Sequence, residues 1–495
     1  MNYDVIVIGS GLGGLTLGSR LAVCGYKVGV FEKHFLAGGY ATNFKRKSYN
    51  FDVSLHGLGG LDQGGNLKEI FEACKINDKI KPLRNEEAYY VKYDGENLCI
   101  PNDKEKYLKL LISKFPLEEK GIRKLFNAIE SFEKGFNKFI LDKDAKFLSK
   151  LNKDVFLFIN WSEKTTYEVI KKYVSNEEFI KVFTALWMYY GLPPKELSAL
   201  YFFIPWISYH KYGKYYVHGG AQALSDSFVE VIKEHGGDVK LRSEVERIIY
   251  KDGEVKGISL KNGEIFTAKR IVSNVNPIST YKLLPEGVLE EKEVKKILGD
   301  KIGCTLSQLY LGLDCNPREL NIPDDEVFIL GDGSHEENYS LSLEGSYEKA
   351  SFLLTNYNGM DKNLNEYNNG VLTVTYIDNY DNWSKDRVEY KKQKEEVTEK
   401  IIERVEEYYK GVKDHIVVKE LGTPMTMERY TGNPKGAVYG YDQSVKQAGR
   451  HRLKSLTSIK NLSLVGAWVN PGGGYEGSIS GGITEAQRIL KEDNK

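Results

Sequence analysis

The apolar positions change period along the chain. Val5-Ile6-Val7-Ile8 is a short, β-branched, unbroken run, the pattern of a strand buried on both faces. Residues 12–23 switch to helical spacing, and residues 27–31 return to a strand that ends on Glu32. Residues 66–212 read as mainly helical, most clearly over 108–115, 125–136 and 167–187. Past residue 213 the pattern predicts a helix over 221–235 and a Gly236-Gly237 stop. Strands follow near 239–241, 245–250, 254–260 and 265–266, parted by Asp-Gly and Asn-Gly turns. Further strands are expected at 304–313, 326–330 and 371–377, with a long amphipathic helix over 384–410. The chain finishes with a buried strand at 462–465, a Pro-Gly-Gly-Gly turn and a helix through Ile483 and Leu490.

Between the first strand and the first helix lie Gly9, Gly11 and Gly14 in G-x-G-x-x-G spacing. The first permits a tight turn, the second lets backbone approach a pyrophosphate, and the third lets helix and strand pack closely. The helix start offers free N–H groups and the positive end of a dipole, which suit a diphosphate. Glu32 follows at about the 20-residue separation at which a carboxylate meets ribose hydroxyls, and an acid there favours an unphosphorylated ribose. The pair Gly38-Gly39, followed by Thr42, separates FAD from NAD, because a flavin's longer body must be led past backbone at that point.

Those motifs carry a resemblance that extends over nearly the whole chain. The N-terminal fingerprint with its second glycine pair resembles the flavin amine oxidase superfamily. FDVSLHGLGG, GLPPKELSALYFFIPW, YYVHGGAQALSD, RIVSNVNP and TPMTMERYTGNPKGAVYGYD are similar to segments of its FAD-dependent phytoene desaturase, carotenoid isomerase and retinol saturase members. LSLVGAWVNPGGGYEGSIS resembles the C-terminal flavin motif of the same proteins. The resemblance implies an α/β fold in which a Rossmann-like FAD-binding domain of the GR2 type carries an inserted α+β substrate domain. The first is assigned to residues 1–65, 213–277 and 455–495, the second to 66–212 and 278–454. It implies cofactor contacts at Gly9, Gly11, Gly13, Gly14, Glu32, Lys33, Gly38, Gly39, Thr42, Val245, Asn274, Gly466, Ala467, Gly473, Gly474, Gly477 and Ser478. It also makes His56 the candidate acid or base, with Ser54 standing where relatives carry a glycine. Tyr430, Tyr439 and Tyr441 read as proton donors or as packing, the latter favoured.

Length and charge narrow the classes. At 495 residues the chain exceeds one ordinary core. Lys plus Arg equal Asp plus Glu at 69 each, which argues against a nucleic-acid binder working through bulk charge. The five cysteines contain no C-x-x-C pair, so buried thiols in a reducing compartment are expected, and no metal site. The longest uncharged apolar stretch, 197–210, is shorter than a membrane span and holds Pro205. With the first strand beginning at residue 3, no leader is expected and the reading is cytoplasmic, with membrane contact at most peripheral. Many tyrosines fall between 155 and 217, where they line either a core or an apolar substrate tunnel.

Three functions fit. The first is an FAD-dependent oxidoreductase acting on carbon–carbon double bonds of a long apolar polyene as saturase, desaturase or cis–trans isomerase, with reduction or isomerisation favoured. The second is a flavin amine oxidase on a small amine, and the third a non-catalytic flavin- or lipid-binding protein. No second dinucleotide fingerprint occurs, so NAD(P)H enters only as a transient visitor.

Overall fold

The computed structural model describes residues 2–141, 151–365 and 369–493. The first apolar run forms strand β1, Tyr3–Ile8, with parallel partners on both sides, as burial of both faces requires. On one side β2, Val28–Phe31, pairs Val28 with Val5; on the other, Ile265–Ser273 pairs Ile271 with Ile6. Helix α1, Leu12–Val23, makes the crossover from β1 to β2. Asp238–Lys240 extends the sheet beyond β2, and Leu462–Leu464 joins Ile265–Ser273. One parallel sheet is thus completed by strands from distant parts of the chain. The hairpin of Val245–Lys251 and Glu254–Leu260, turning on Asp252-Gly253, adds antiparallel to the start of Ile265–Ser273.

A second seven-stranded sheet runs in the order Ile416–Gly422, Thr305–Leu313, Gly370–Asp378, Phe352–Asn356, Glu326–Ile329, Glu87–Tyr93, Glu96–Pro101. Helix Arg387–Tyr408 covers one face through Val397, Ile401, Ile402 and Val405, packed against Leu311, Leu354 and Val374. A helical layer packs nearby, built on Glu119–Phe136 and Ala199–Tyr212, and its interior is aromatic: Tyr107, Phe126, Phe183 and Trp206 are in mutual ring contact.

Several elements differ from the sequence pattern. Residues 82–84, 87–93 and 96–101, inside the stretch read as helical, are strands, and the last two belong to the second sheet. Their alternation is masked because Glu87–Tyr93 is followed by a polar edge strand. Residues 167–187 divide into Thr166–Lys171, Glu177–Phe183 and Trp187–Tyr190, since Thr165 and Asn176 each cap a new helix. Phe352–Asn356 and Ile416–Gly422 are strands that periodicity does not announce, the first because its wholly apolar part is only three residues long. Only Cys74 and Cys315 of the five thiols are buried; Cys99 faces solvent on the edge strand Glu96–Pro101, and Cys24 and Cys304 are half-buried. Among the described residues no helix is long and apolar enough to cross a membrane.

Candidate active site

β1 ends in Gly9, whose φ of 87° turns the chain sharply into α1. Asn274, just past Ile265–Ser273, accepts the Gly14 N–H on its Oδ1 at 3.0 Å. A Cβ on Gly13 would lie 2.8 Å from that oxygen and 2.9 Å from Gly466 Cα. The N-terminal glycine turn and the C-terminal glycine segment, more than 400 residues apart in sequence, therefore meet across one asparagine side chain. The helices behind them meet as closely: a Cβ on Gly482, in helix Tyr475–Glu492, would sit 2.3 Å from the Gly13 carbonyl oxygen.

Glu32 is oriented before any ligand arrives. Its Oε2 accepts the Ser10 N–H at 2.8 Å and the Ser10 hydroxyl at 2.7 Å, and its Oε1 accepts the His34 N–H at 2.9 Å. The Gly38 N–H donates to the Ser10 carbonyl at 2.9 Å, tying the second glycine pair to the first turn. These groups open on a cavity of about 740 Å³. Gly9, Gly11, Gly13, Glu32, Lys33, Gly38, Gly39, Thr42, Val245, Asn274, Gly466, Ala467, Gly473, Gly474, Gly477 and Ser478 all line it. Gly14 does not; it faces Val7 and the Gly9 carbonyl and serves the approach of α1 to β1. The start of helix Tyr475–Glu492, with Gly474 at its N-cap, points its unpaired N–H groups at the same space.

The cavity continues past this cradle to an end lined by His56, Tyr189, Tyr190, Tyr209 and Tyr439. His56 Nδ1 lies 2.7 Å from Glu326 Oε1 and 3.3 Å from the Thr355 hydroxyl, and Tyr189 and Tyr357 stack on its ring. Its Nε2 has no protein partner among the described residues. Glu326 is fully buried, and its Oε2 accepts from Lys214 Nζ at 2.7 Å and from the Tyr189 hydroxyl. Burial opposes the Glu326 charge, yet Lys214 and His56 hold the carboxyl below its usual range. Lys214 spends its other donors on Asp325 Oδ1 at 2.7 Å and the Ala88 carbonyl at 2.6 Å. Burial opposes its charge too, and the two carboxylates outweigh that and push it up. Glu476, also lining the cavity, accepts the Gly59 N–H at 2.8 Å and is raised above the usual carboxylate range by burial.

Of the three tyrosines singled out in the sequence, Tyr439 lines the inner cavity and Tyr430 sits exposed on its rim against His34. Tyr441 is fully buried and gives its hydroxyl to the Ile297 carbonyl at 2.6 Å, so it packs and donates no proton to the cavity. Sequence reasoning missed Lys214, Asp325 and Glu326. The signal was an Asp-Glu pair opening the apolar run Val327-Phe328-Ile329, a place where charge needs a partner.

The glycines fit a flavin dinucleotide: a Cβ at Gly11 or Gly13 would strike Asn274, and the cavity between the two glycine segments is bordered by helix N-termini and an oriented carboxylate. Residues 12–490 match the family described as flavin containing amine oxidoreductase. The chain belongs to that family. It is therefore a flavin-dependent oxidoreductase. An all-trans-retinol 13,14-reductase of Danio rerio is 28% identical over 99% of this chain and 86% of its own length. A chloroplastic prolycopene isomerase of Daucus carota is 27% identical over 99% and 80%. A 4,4'-diapophytoene desaturase (4,4'-diapolycopene-forming) of a Methylomonas species is 26% identical over 95% and 92%. Among solved structures, an oxidoreductase from Methanosarcina mazei superposes with a TM-score of 0.63 at 18% identity over 98% of this chain and 99% of its own. A putrescine oxidase bound to putrescine does so at 0.65 and 14% over 99% of both chains, which establishes a shared fold.

Proposed function

We propose that this chain acts on a carbon–carbon double bond of a long apolar polyene, with FAD as cofactor and His56 as the group that moves the proton. The observation that carries the reading is the continuity of one cavity from the glycine cradle to an aromatic end lined by His56, whose Nε2 has no partner among the described residues. The three relatives named above fall in one substrate class by their names, whether reductase, isomerase or desaturase.

Glu32 would take the ribose hydroxyls of the adenosine, with Val245 beside the adenine, and the turn from Gly9 to Gly13 would take the diphosphate. Gly466, Ala467, Gly473, Gly474, Gly477 and Ser478 would border the ribityl chain and the ring, with Gly38, Gly39 and Thr42 facing them. Bound there, the flavin supplies or takes up a hydride. The aromatic walls hold the polyene and exclude water, and His56 Nε2 delivers a proton to the carbon that does not receive hydride. A small alkylammonium substrate is disfavoured at this end. Glu326 is already paired with Lys214 and His56, and Glu476 is held toward its neutral form, so no free carboxylate awaits a cation among the described residues.

Anaerobic mixing of the reduced holoprotein with polyenes, and of the oxidised holoprotein with polyenes and amines, tests the assignment through the visible flavin band. If the polyene is reduced, it is expected to return the reduced flavin to its oxidised spectrum with one double bond saturated per flavin; if it is isomerised, the polyene changes while the flavin stays reduced. Bleaching of the oxidised flavin by amines, with polyenes inert, would overturn it.

A further inference from the structure

His56 approaches a buried assembly of two carboxyl groups and one ammonium. Lys214 spends its three ammonium donors on Ala88 O, Asp325 Oδ1 and Glu326 Oε2. Among the described residues every hydrogen-bond partner of the Asp325 carboxyl is a donor: Lys214 and the Glu326 N–H to Oδ1, Asn85 Nδ2 to Oδ2 at 2.7 Å. Burial pushes the Asp325 carboxyl up, but no acceptor stands ready for a proton on it, so it remains a carboxylate. Glu326 Oε2 is filled by Lys214 and Tyr189, while Oε1, 2.7 Å from His56 Nδ1, has no hydrogen-bond partner among the described residues. Two carboxylates and one ammonium leave one negative charge inside the protein, where an uncompensated charge is strongly unfavourable. His56 Nδ1, 2.7 Å from Oε1, is the group placed to face it.

We propose that Glu326, braced by Lys214 and Asp325, is a positioning residue that holds the Nδ1 side of His56, so that Nε2 faces the cavity. This inference rests on the proton-donor reading of His56. Around the imidazole, Tyr189 and Tyr357 contribute ring faces and Thr355 a hydroxyl; on the loop that follows, the Gly57 carbonyl accepts from Tyr209 and the Gly59 N–H donates to Glu476. Glu326 is the ionised group in contact with the ring, and the charges of Lys214 and Asp325 reach it through Glu326. Lys214 also fixes the loop sterically, since a Cβ on Gly57 would lie 2.5 Å from its Cε.

The test is a double-mutant cycle on turnover of the holoprotein with a polyene, the bound flavin band confirming that each variant folds. Glu326→Gln is expected to lower kcat about tenfold or more with KM little changed, since the lost contact acts on proton delivery and not on binding. Glu326→Asp should restore most of the rate. In a His56→Ala background Glu326→Gln should cost nothing further. A Glu326→Gln loss that persists in full without His56 overturns the proposal, as does a Glu326→Gln protein with unchanged kcat. Should His56→Ala abolish turnover while Glu326→Gln moves nothing, the proton-donor reading survives and this inference fails. Should His56→Ala leave turnover intact, the proton-donor reading fails instead.

Discussion

The carboxylate of Glu32 accepts N–H groups from Ser10 and His34, which aims it at the cavity before a ligand is present. A ribose hydroxyl meeting it would make a hydrogen bond to a charged acceptor, worth about 1.5–3 kcal/mol, or roughly 10- to 100-fold in affinity. Glu32→Ala is therefore expected to weaken FAD binding by about that factor, measured by fluorescence titration. FMN lacks the adenosine and should bind the variant and the unaltered protein alike; equal weakening of both cofactors would remove Glu32 from the ribose. Glu32 and the glycines were legible from sequence because tight turns and close backbone approaches restrict residue type locally. Lys214, Asp325 and Glu326 were not, because Lys214 comes from more than a hundred residues away and the value of each charge depends on the others.

Among the elements, α1 and Tyr475–Glu492 support both halves of the cradle, and their contact relies on the missing side chain of Gly482. Gly482→Leu would drive a side chain into the Gly13 carbonyl, an overpacking of a kind that costs about 1–3 kcal/mol or more. The expected result is a lower melting midpoint together with weaker flavin retention, read by calorimetry and by the visible spectrum. A variant that keeps both would show that the helices can part without disturbing the site. Sequence pattern recovered these two helices and their strands because glycine turns and apolar runs bound them sharply. It missed Phe352–Asn356 and Ile416–Gly422, whose strand character comes from neighbours in the sheet, with partners such as Thr375 opposite Leu353 and Gln308 opposite Gly422. It also merged three helices over 166–190 into one, since the cap at Asn176 and the break before Trp187 lie inside a continuous amphipathic pattern.

Over the whole molecule, burial of ionisable groups sets a pH window for stability. His210 and His335 sit in the aromatic interior, and burial lowers both to about 3. The unfolded chain takes up protons on these rings below about 6.5 while the folded chain does not, so stability is full above that value and falls as pH drops toward about 3. Each ring is expected to remove about 2 kcal/mol at pH 5. Urea denaturation at pH 8 and pH 5 should register the loss, and His210→Phe should recover close to half of it; equal midpoints at the two pH values would contradict this. Flavin binding by this chain depends on its two ends forming one seat. Its most direct measurement is titration of the cofactor-stripped protein with FAD, against Gly13→Val as control. One FAD per chain is predicted, with a bound flavin band in the unaltered protein and little or none in Gly13→Val, whose side chain would wedge Asn274 and Gly466 away from the N-terminal turn. A chain that takes up no FAD, or a Gly13→Val protein that binds it as tightly, would contradict the account.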